Sequence, residues 1–281
     1  MNIKLITMSL LMTSAAAISC NNQNANSETK STKDSSAVTA TANIKEDSVT
    51  YHLDGQNYVG FVVYDANKEG KRPAILVVPE WWGLNDYTRS RAKQLAELGY
   101  IAMAVDMYGD GKIGNDPKEA QALATPYYKD PTLTKKVLDA AINKLKTFAQ
   151  ADTSKMAAIG YCFGGFVVLN AAKLGAGLKG VVSFHGGLTG VPPNKDLLKA
   201  KILVCHGAAD EFENSHVAEF KKQMDSVGAD YVFKEYPNAT HAFSNPAATE
   251  NGKKFNMPIA YNAAADSASW NDMKEFFKKI F

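Results

Sequence analysis

The segment Ile159-Gly160-Tyr161-Cys162-Phe163-Gly164-Gly165 restricts this chain more than any other. An apolar run, Met156-Ala157-Ala158-Ile159, enters a Gly-x-Cys-x-Gly turn. Phe163 to Leu174 then offers Val167, Val168, Ala171 and Ala172 to one packed helical face. This is the strand, turn and helix of the Gly-x-Ser-x-Gly nucleophile elbow, with cysteine in the serine's place. A nucleophile at the tip of so sharp a turn sits in strained backbone, so its neighbours must be small for strand and helix to pass closely. The helix that follows aims its first N–H groups at a thiolate and at any oxyanion beside it. A buried structural thiol is the plain alternative for Cys162.

Apolar runs and helical patterns alternate on both sides of this segment. Val49-Tyr51-Leu53 and Tyr58–Tyr64 are strand-like, and Asp54-Gly55 between them signals a hairpin. Ala74–Val78 is continuously apolar, as for a strand covered on both faces. Strands are also expected at Tyr100–Val105, Leu178–Phe184, Lys201–Cys205 and Tyr231–Tyr236. Helices are expected at Asp86–Leu98, Thr132–Ala149, Val217–Val227 and within Met257–Phe281. Asp110–Asp130 has a weak pattern, expected as a loop and short helix that partly covers a site. Such alternation predicts an α/β fold, a mostly parallel central sheet with helices on both faces. Ligands of these sheets bind at the carboxyl ends of the strands. Glu80, Asp106, Cys162, His185, Asp210 and His241 all stand there.

A thiol nucleophile needs a base, and the base needs an orienting carboxylate. The order Cys162…Asp210…His241 supplies one candidate per strand end, with Glu211 and Glu213 as competitors of Asp210. His185 either touches substrate or is a hydrogen-bonded turn histidine. His206 stands too close to its strand to reach Cys162, and His52 and His216 are surface residues by context. Trp81 and Trp82 belong either to the core or to the pocket wall. Glu80 closes an apolar strand, a placement that costs energy unless it is partnered. A Cys162–Cys205 disulfide is not expected, because one strand separates the two and puts them roughly 10 Å apart. No His/Cys/Asp cluster has metal-ligand spacing, and there is no phosphate loop or dinucleotide fingerprint, so no metal or cofactor is expected. The 281 residues, 46% hydrophobic with a net charge of +2, suit one globular domain and give no ground for a nucleic-acid partner.

The front end is a separate matter. Residues 1–19 have a short basic start and a mostly apolar run too short to span a bilayer, as in a secretory signal peptide. Ala17-Ile18-Ser19-Cys20 resembles the lipobox of bacterial lipoproteins. That resemblance implies a lipidated Cys20 and a periplasmic protein held to a membrane only by its lipid anchor; plain secretion is the alternative. Residues 20–47 are expected as a flexible tether and 48–281 as the folded domain.

From about Tyr51 to Phe281 the chain resembles the dienelactone hydrolase family, a cysteine branch of the α/β-hydrolases. The resemblance rests on Pro79-Glu80-Trp81-Trp82-Gly83-Leu84-Asn85, Asp106-Met107-Tyr108, Gly160-Tyr161-Cys162-Phe163-Gly164-Gly165, His206-Gly207-Ala208-Ala209-Asp210 and His241-Ala242-Phe243. It implies a hydrolase of small esters or lactones acting through a cysteinyl thioester. In it Cys162 is nucleophile, His241 base and Asp210 orienter. Glu80 contacts the cysteine and helps to ionise it, and the N–H groups of Phe163 and Trp81 bind the oxyanion. Trp82, Tyr108, His185 and Phe243 are the expected pocket residues. The family's carboxylate-binding arginines, by the same resemblance, would stand four residues past the catalytic histidine and just past Asp-x-Tyr. Here those places hold Asn245 and Gly109-Asp110, and the only arginines are Arg72, Arg89 and Arg91. A neutral, moderately apolar substrate is therefore expected. A catalytically weak ligand-binding protein on the same fold is the rival; a thiol redox sensor would need a resolving cysteine that is not evident.

Overall fold

The computed structural model describes residues 41–281. The expected signal peptide, Cys20 and the tether as far as residue 40 lie outside the described residues. Eight strands, β1 (Ile44–Leu53), β2 (Gln56–Asp65), β3 (Arg72–Val78), β4 (Ile101–Ala104), β5 (Ala151–Tyr161), β6 (Gly180–Phe184), β7 (Lys201–Gly207) and β8 (Tyr231–Tyr236), form one sheet. Its order is β1-β2-β4-β3-β5-β6-β7-β8. The first two strands form an antiparallel hairpin, β2 lies antiparallel to β4, and every later pairing is parallel.

The apolar runs are continuous because both faces of the central strands are covered. In β3, Ala74, Leu76 and Val78 enter one core while Ile75 and Val77 enter the other. Helices α2 (Pro117–Lys129), α3 (Thr132–Leu145), α4 (Phe163–Lys173) and α5 (Val217–Ser226) close the first core. Helices α1 (Asp86–Glu97) and α7 (Ala263–Ile280) close the second. Asn85, Asp116 and Asn262 cap α1, α2 and α7 by accepting from backbone N–H groups of the first turn.

Three expectations need correction. The domain starts earlier than 48: Ile44–Asp47 is already strand, paired with Val62–Asp65, and Glu46 is fixed by a two-pronged bond from Arg89 at 2.8 Å. The 110–130 segment carries a full 13-residue helix, started by the Asp116 cap and Pro117. At the other end, the helix expected within 257–281 begins only at Ala263. A helix α6 (Ala248–Phe255), which the sequence pattern did not suggest, precedes it. Asn256, in the left-handed region at φ 51°, ends α6, and Pro258 forbids its continuation. Among the described residues no helix is long and apolar enough to cross a membrane.

Candidate active site

Strand β5 delivers Cys162 at the end of the parallel sheet with φ 53° and ψ −114°, a conformation L-residues rarely hold. The closeness of strand and helix is literal. A Cβ on Gly160 would stand 2.0 Å from the Gly164 carbonyl oxygen, and one on Gly164 would stand 2.3 Å from that of Val78. The Cys162 carbonyl accepts from Gly165 and Phe166 and starts α4. Its N–H is shared between the Phe184 carbonyl at 3.0 Å and His185 Nδ1 at 3.1 Å. The N–H groups of Phe163 and Trp81, by contrast, have no acceptor among the described residues.

His241 and Asp210 meet as the spacing predicts. His241 Nδ1 lies 2.8 Å from Asp210 Oδ2, and Asp210 is fully buried, its other oxygen accepting from the Phe212 N–H at 3.0 Å. Glu213 is occupied elsewhere: it accepts from the Leu188 N–H and faces His216 Nδ1. Burial is the largest influence on His241 and works against its charge. The adjoining Cys162 sulfur and the Asp210 carboxylate together outweigh it and raise the imidazole well above its usual range.

Glu80, two residues past the end of β3, is almost completely buried. Burial pushes its carboxyl up to about 7, against the pull of the Asn245 amide, His241 and Arg91. Its hydrogen-bond partner is Asn245, whose Nδ2 donates to Oε2 at 2.6 Å. The residue standing where the related enzymes are expected to have an arginine thus holds the Glu80 carboxylate.

The expected pocket residues divide. Tyr108 is 7% exposed; its hydroxyl donates to the Trp81 carbonyl at 2.9 Å and its ring packs on Phe163, so it braces the turn that carries Trp81. Trp81 and Trp82 are half-buried and pack edge to face, with Trp82 against Phe255. His185 and Phe243 are not pocket walls. Both are fully buried, their rings against each other in the core beneath the site. At φ 39° the His185 backbone turns its side chain inward. Asp106 is likewise structural, accepting from the N–H groups of Val59, Tyr108, Gly109 and Gly111. His206 is bonded to Asn214.

Two exposed aromatic rings beside these groups are not singled out by the sequence. Phe212, 46% exposed, sets its ring edge-on to His241 with centroids 5.4 Å apart. Tyr128, 42% exposed, does the same to Phe163 at 5.7 Å. Phe212 follows Asp210 by two, which is a usable signal; nothing local marks Tyr128. The three arginines are all committed: Arg72 to the Asp65 carbonyl, Arg89 to Glu46, and buried Arg91 to Asp266 and the Ser244 carbonyl. Cys162 and Cys205 are both free thiols, with β6 between their strands. Among the described residues no three His, Cys, Asp or Glu side chains converge as metal ligands would.

Known proteins resemble the chain over the whole of this region. The model of the dienelactone hydrolase family matches residues 59–281. A putative carboxymethylenebutenolidase of Methylorubrum extorquens is 28% identical over 222 residues, 75% of this chain and 73% of that one. Among solved structures, the dienelactone hydrolase-like promiscuous phosphotriesterase P91 from metagenomic libraries is 33% identical with a TM-score of 0.80, covering 85% of this chain and 99% of its own. A putative dienelactone hydrolase of Klebsiella pneumoniae, 22% identical, shares the α/β-hydrolase fold with a TM-score of 0.71, over 84% of this chain and 99% of its own.

Proposed function

The chain belongs to the dienelactone hydrolase family and is an ester or lactone hydrolase; from that premise we propose that it works through a Cys162 thioester, with His241 as base and Asp210 as its orienter. The observation that carries this reading is a cysteine at φ 53° on a strand-to-helix turn, beside a histidine whose far nitrogen is 2.8 Å from a buried carboxylate. As substrate enters, His241 Nε2, hydrogen-bonded to the Cys162 thiol, takes its proton, and Glu80, with its carboxyl near 7 and close to His241, favours the imidazolium that forms. The Cys162 sulfur attacks the acyl carbon, and the carbonyl electron pair moves onto oxygen. The N–H groups of Phe163 and Trp81 receive that oxyanion, each typically worth about 3 kcal/mol of barrier. Collapse breaks the acyl–oxygen bond, and the leaving alkoxide takes its proton from His241 Nε2. His241 then removes a proton from water, which attacks the thioester and releases acid and thiolate.

For the substrate we propose a neutral, moderately apolar ester or lactone. Phe212 and Tyr128 offer apolar contacts beside the reacting groups, and no arginine is free to pair with a carboxylate. We also propose a periplasmic location through a lipidated Cys20, which rests on the sequence of residues 17–20 alone.

A panel of neutral and carboxylated esters and lactones, with one neutral phosphotriester included because P91 is named a promiscuous phosphotriesterase, tests the reading. Cys162→Ala should lose at least about a thousandfold in kcat/KM, while intact-mass analysis of the quenched parent shows an acyl adduct on Cys162. Full activity in Cys162→Ala refutes the mechanism. A tenfold preference of the parent for the carboxylated lactone refutes the substrate class. Ligand retention without turnover by the parent favours a binding protein.

A further inference from the structure

His185 is enclosed on every side and belongs neither to the triad nor to the pocket wall. Its two ring nitrogens nevertheless connect the two parts of the site that have to meet. Nδ1 takes the Cys162 N–H at 3.1 Å and must be unprotonated to do so. The ring's single proton is then on Nε2, which donates to Ser244 Oγ at 2.7 Å. Burial first, then the facing charges of His241 and Arg91, hold this imidazole well below its usual range, so it stays neutral. Ser244 belongs to the loop that carries His241, three residues further on.

The far side of Ser244 is equally well fixed. Tyr87 Oη lies 2.8 Å from the same Oγ, and the Ser244 carbonyl accepts from Arg91 Nη2 at 2.7 Å. That nitrogen also meets Asp266 Oδ1 of α7 at 2.5 Å, while the guanidinium lies among the rings of Tyr87, Tyr161 and Trp270. A continuous polar path thus runs from α7 through α1 and the base loop to the backbone of the nucleophile.

We propose that His185 and Ser244 are positioning residues that join the nucleophile turn to the loop of the base, with Arg91 and Asp266 holding the far end. The proposal rests on the reading of Cys162 as nucleophile and His241 as base. Cys162 and His241 come from β5 and from the loop after β8, with β6 and β7 between them. Backbone pairing alone transmits their separation across two strands. The His185–Ser244 bond sets it directly, and a misplacement of about 1 Å costs on the order of a hundredfold in rate.

Ser244→Ala removes one oxygen from the path; His185→Asn keeps an acceptor near the Nδ1 position but cannot reach residue 244. On a neutral p-nitrophenyl ester, each should lower kcat about 10- to 100-fold with KM within about threefold of the parent. The double variant should be no slower than the slower single one, because both cut one link. Without any substrate, iodoacetamide alkylation of Cys162 in Ser244→Ala should follow a displaced pH profile, since the thiol has changed its relation to His241. A Ser244→Ala kcat within twofold of the parent overturns the proposal, as does an unmoved alkylation profile. A double variant whose loss is the product of the two single losses overturns it as well. If His185→Asn fails to fold, Ser244→Ala decides alone. A parent inert toward every ester refutes the hydrolytic mechanism, and the alkylation profile still decides this proposal.

Discussion

Glu80 is a carboxyl among apolar neighbours, and its proton is linked to the stability of the fold. In the folded protein burial keeps the proton up to about pH 7, whereas the ordinary value is 4.5. Between those limits the folded state binds more protons than the unfolded one, so stability falls as pH rises from about 4.5 to 7 and then levels off. The full difference is on the order of 3 kcal/mol. Glu80→Gln can still accept from Asn245 and has no charge to bury. In urea melts across this window the variant should lose less stability than the parent, by up to about 3 kcal/mol; parallel pH dependences would contradict the assignment. The cysteines make a second residue-scale prediction. Burial pushes the Cys205 thiol up to about 12, whereas Cys162 is partly open to solvent. Iodoacetamide at pH 7.5 should modify the Cys20→Ala chain once, at Cys162, as peptide mapping would show. The sequence exposes Cys162, Asp210 and His241 because each closes a strand, and strand ends can be found from apolar runs. It does not show which way a side chain turns there, and so His185 and Phe243 were expected in the pocket. The Asn245–Glu80 bond spans 165 positions, beyond any local pattern.

At the scale of elements, the elbow is a crossing of β3, β5 and α4 without room for a methyl group. Gly164→Ala would press its Cβ to 2.3 Å from the Val78 carbonyl oxygen, an atom of the central strand that cannot move alone. Overpacking against backbone should cost about 3 kcal/mol or more. A thermal melt within a degree or two of the parent would show that the crossing relaxes easily. The central strands were legible because two covered faces require unbroken apolar runs. Helix α6 was not, because it buries only Ala248 and Gly252 and has no periodic stripe to reveal it. The start of β1 was hidden for a related reason. Ile44–Asp47 is mostly polar, and its place in the sheet comes from pairing with β2 and from Arg89.

For the whole molecule, the folded body and the segment before it make separable predictions. If Cys20 carries lipid, the parent should partition into the detergent phase, and Cys20→Ala should move to the aqueous phase with unchanged activity per molecule. A parent protein found in the aqueous phase would dispose of the anchor and leave the proposed chemistry untouched. Within the body, Asp266 has a consequence for how the protein is made. Ribosomes supply the eight strands, Cys162, Asp210 and His241 before α7, so during synthesis Arg91 awaits its counter-ion while the rest of the site is already present. The Arg91–Asp266 contact therefore forms only once the end of the chain has left the ribosome, and the path from α7 to the nucleophile is completed after synthesis is over.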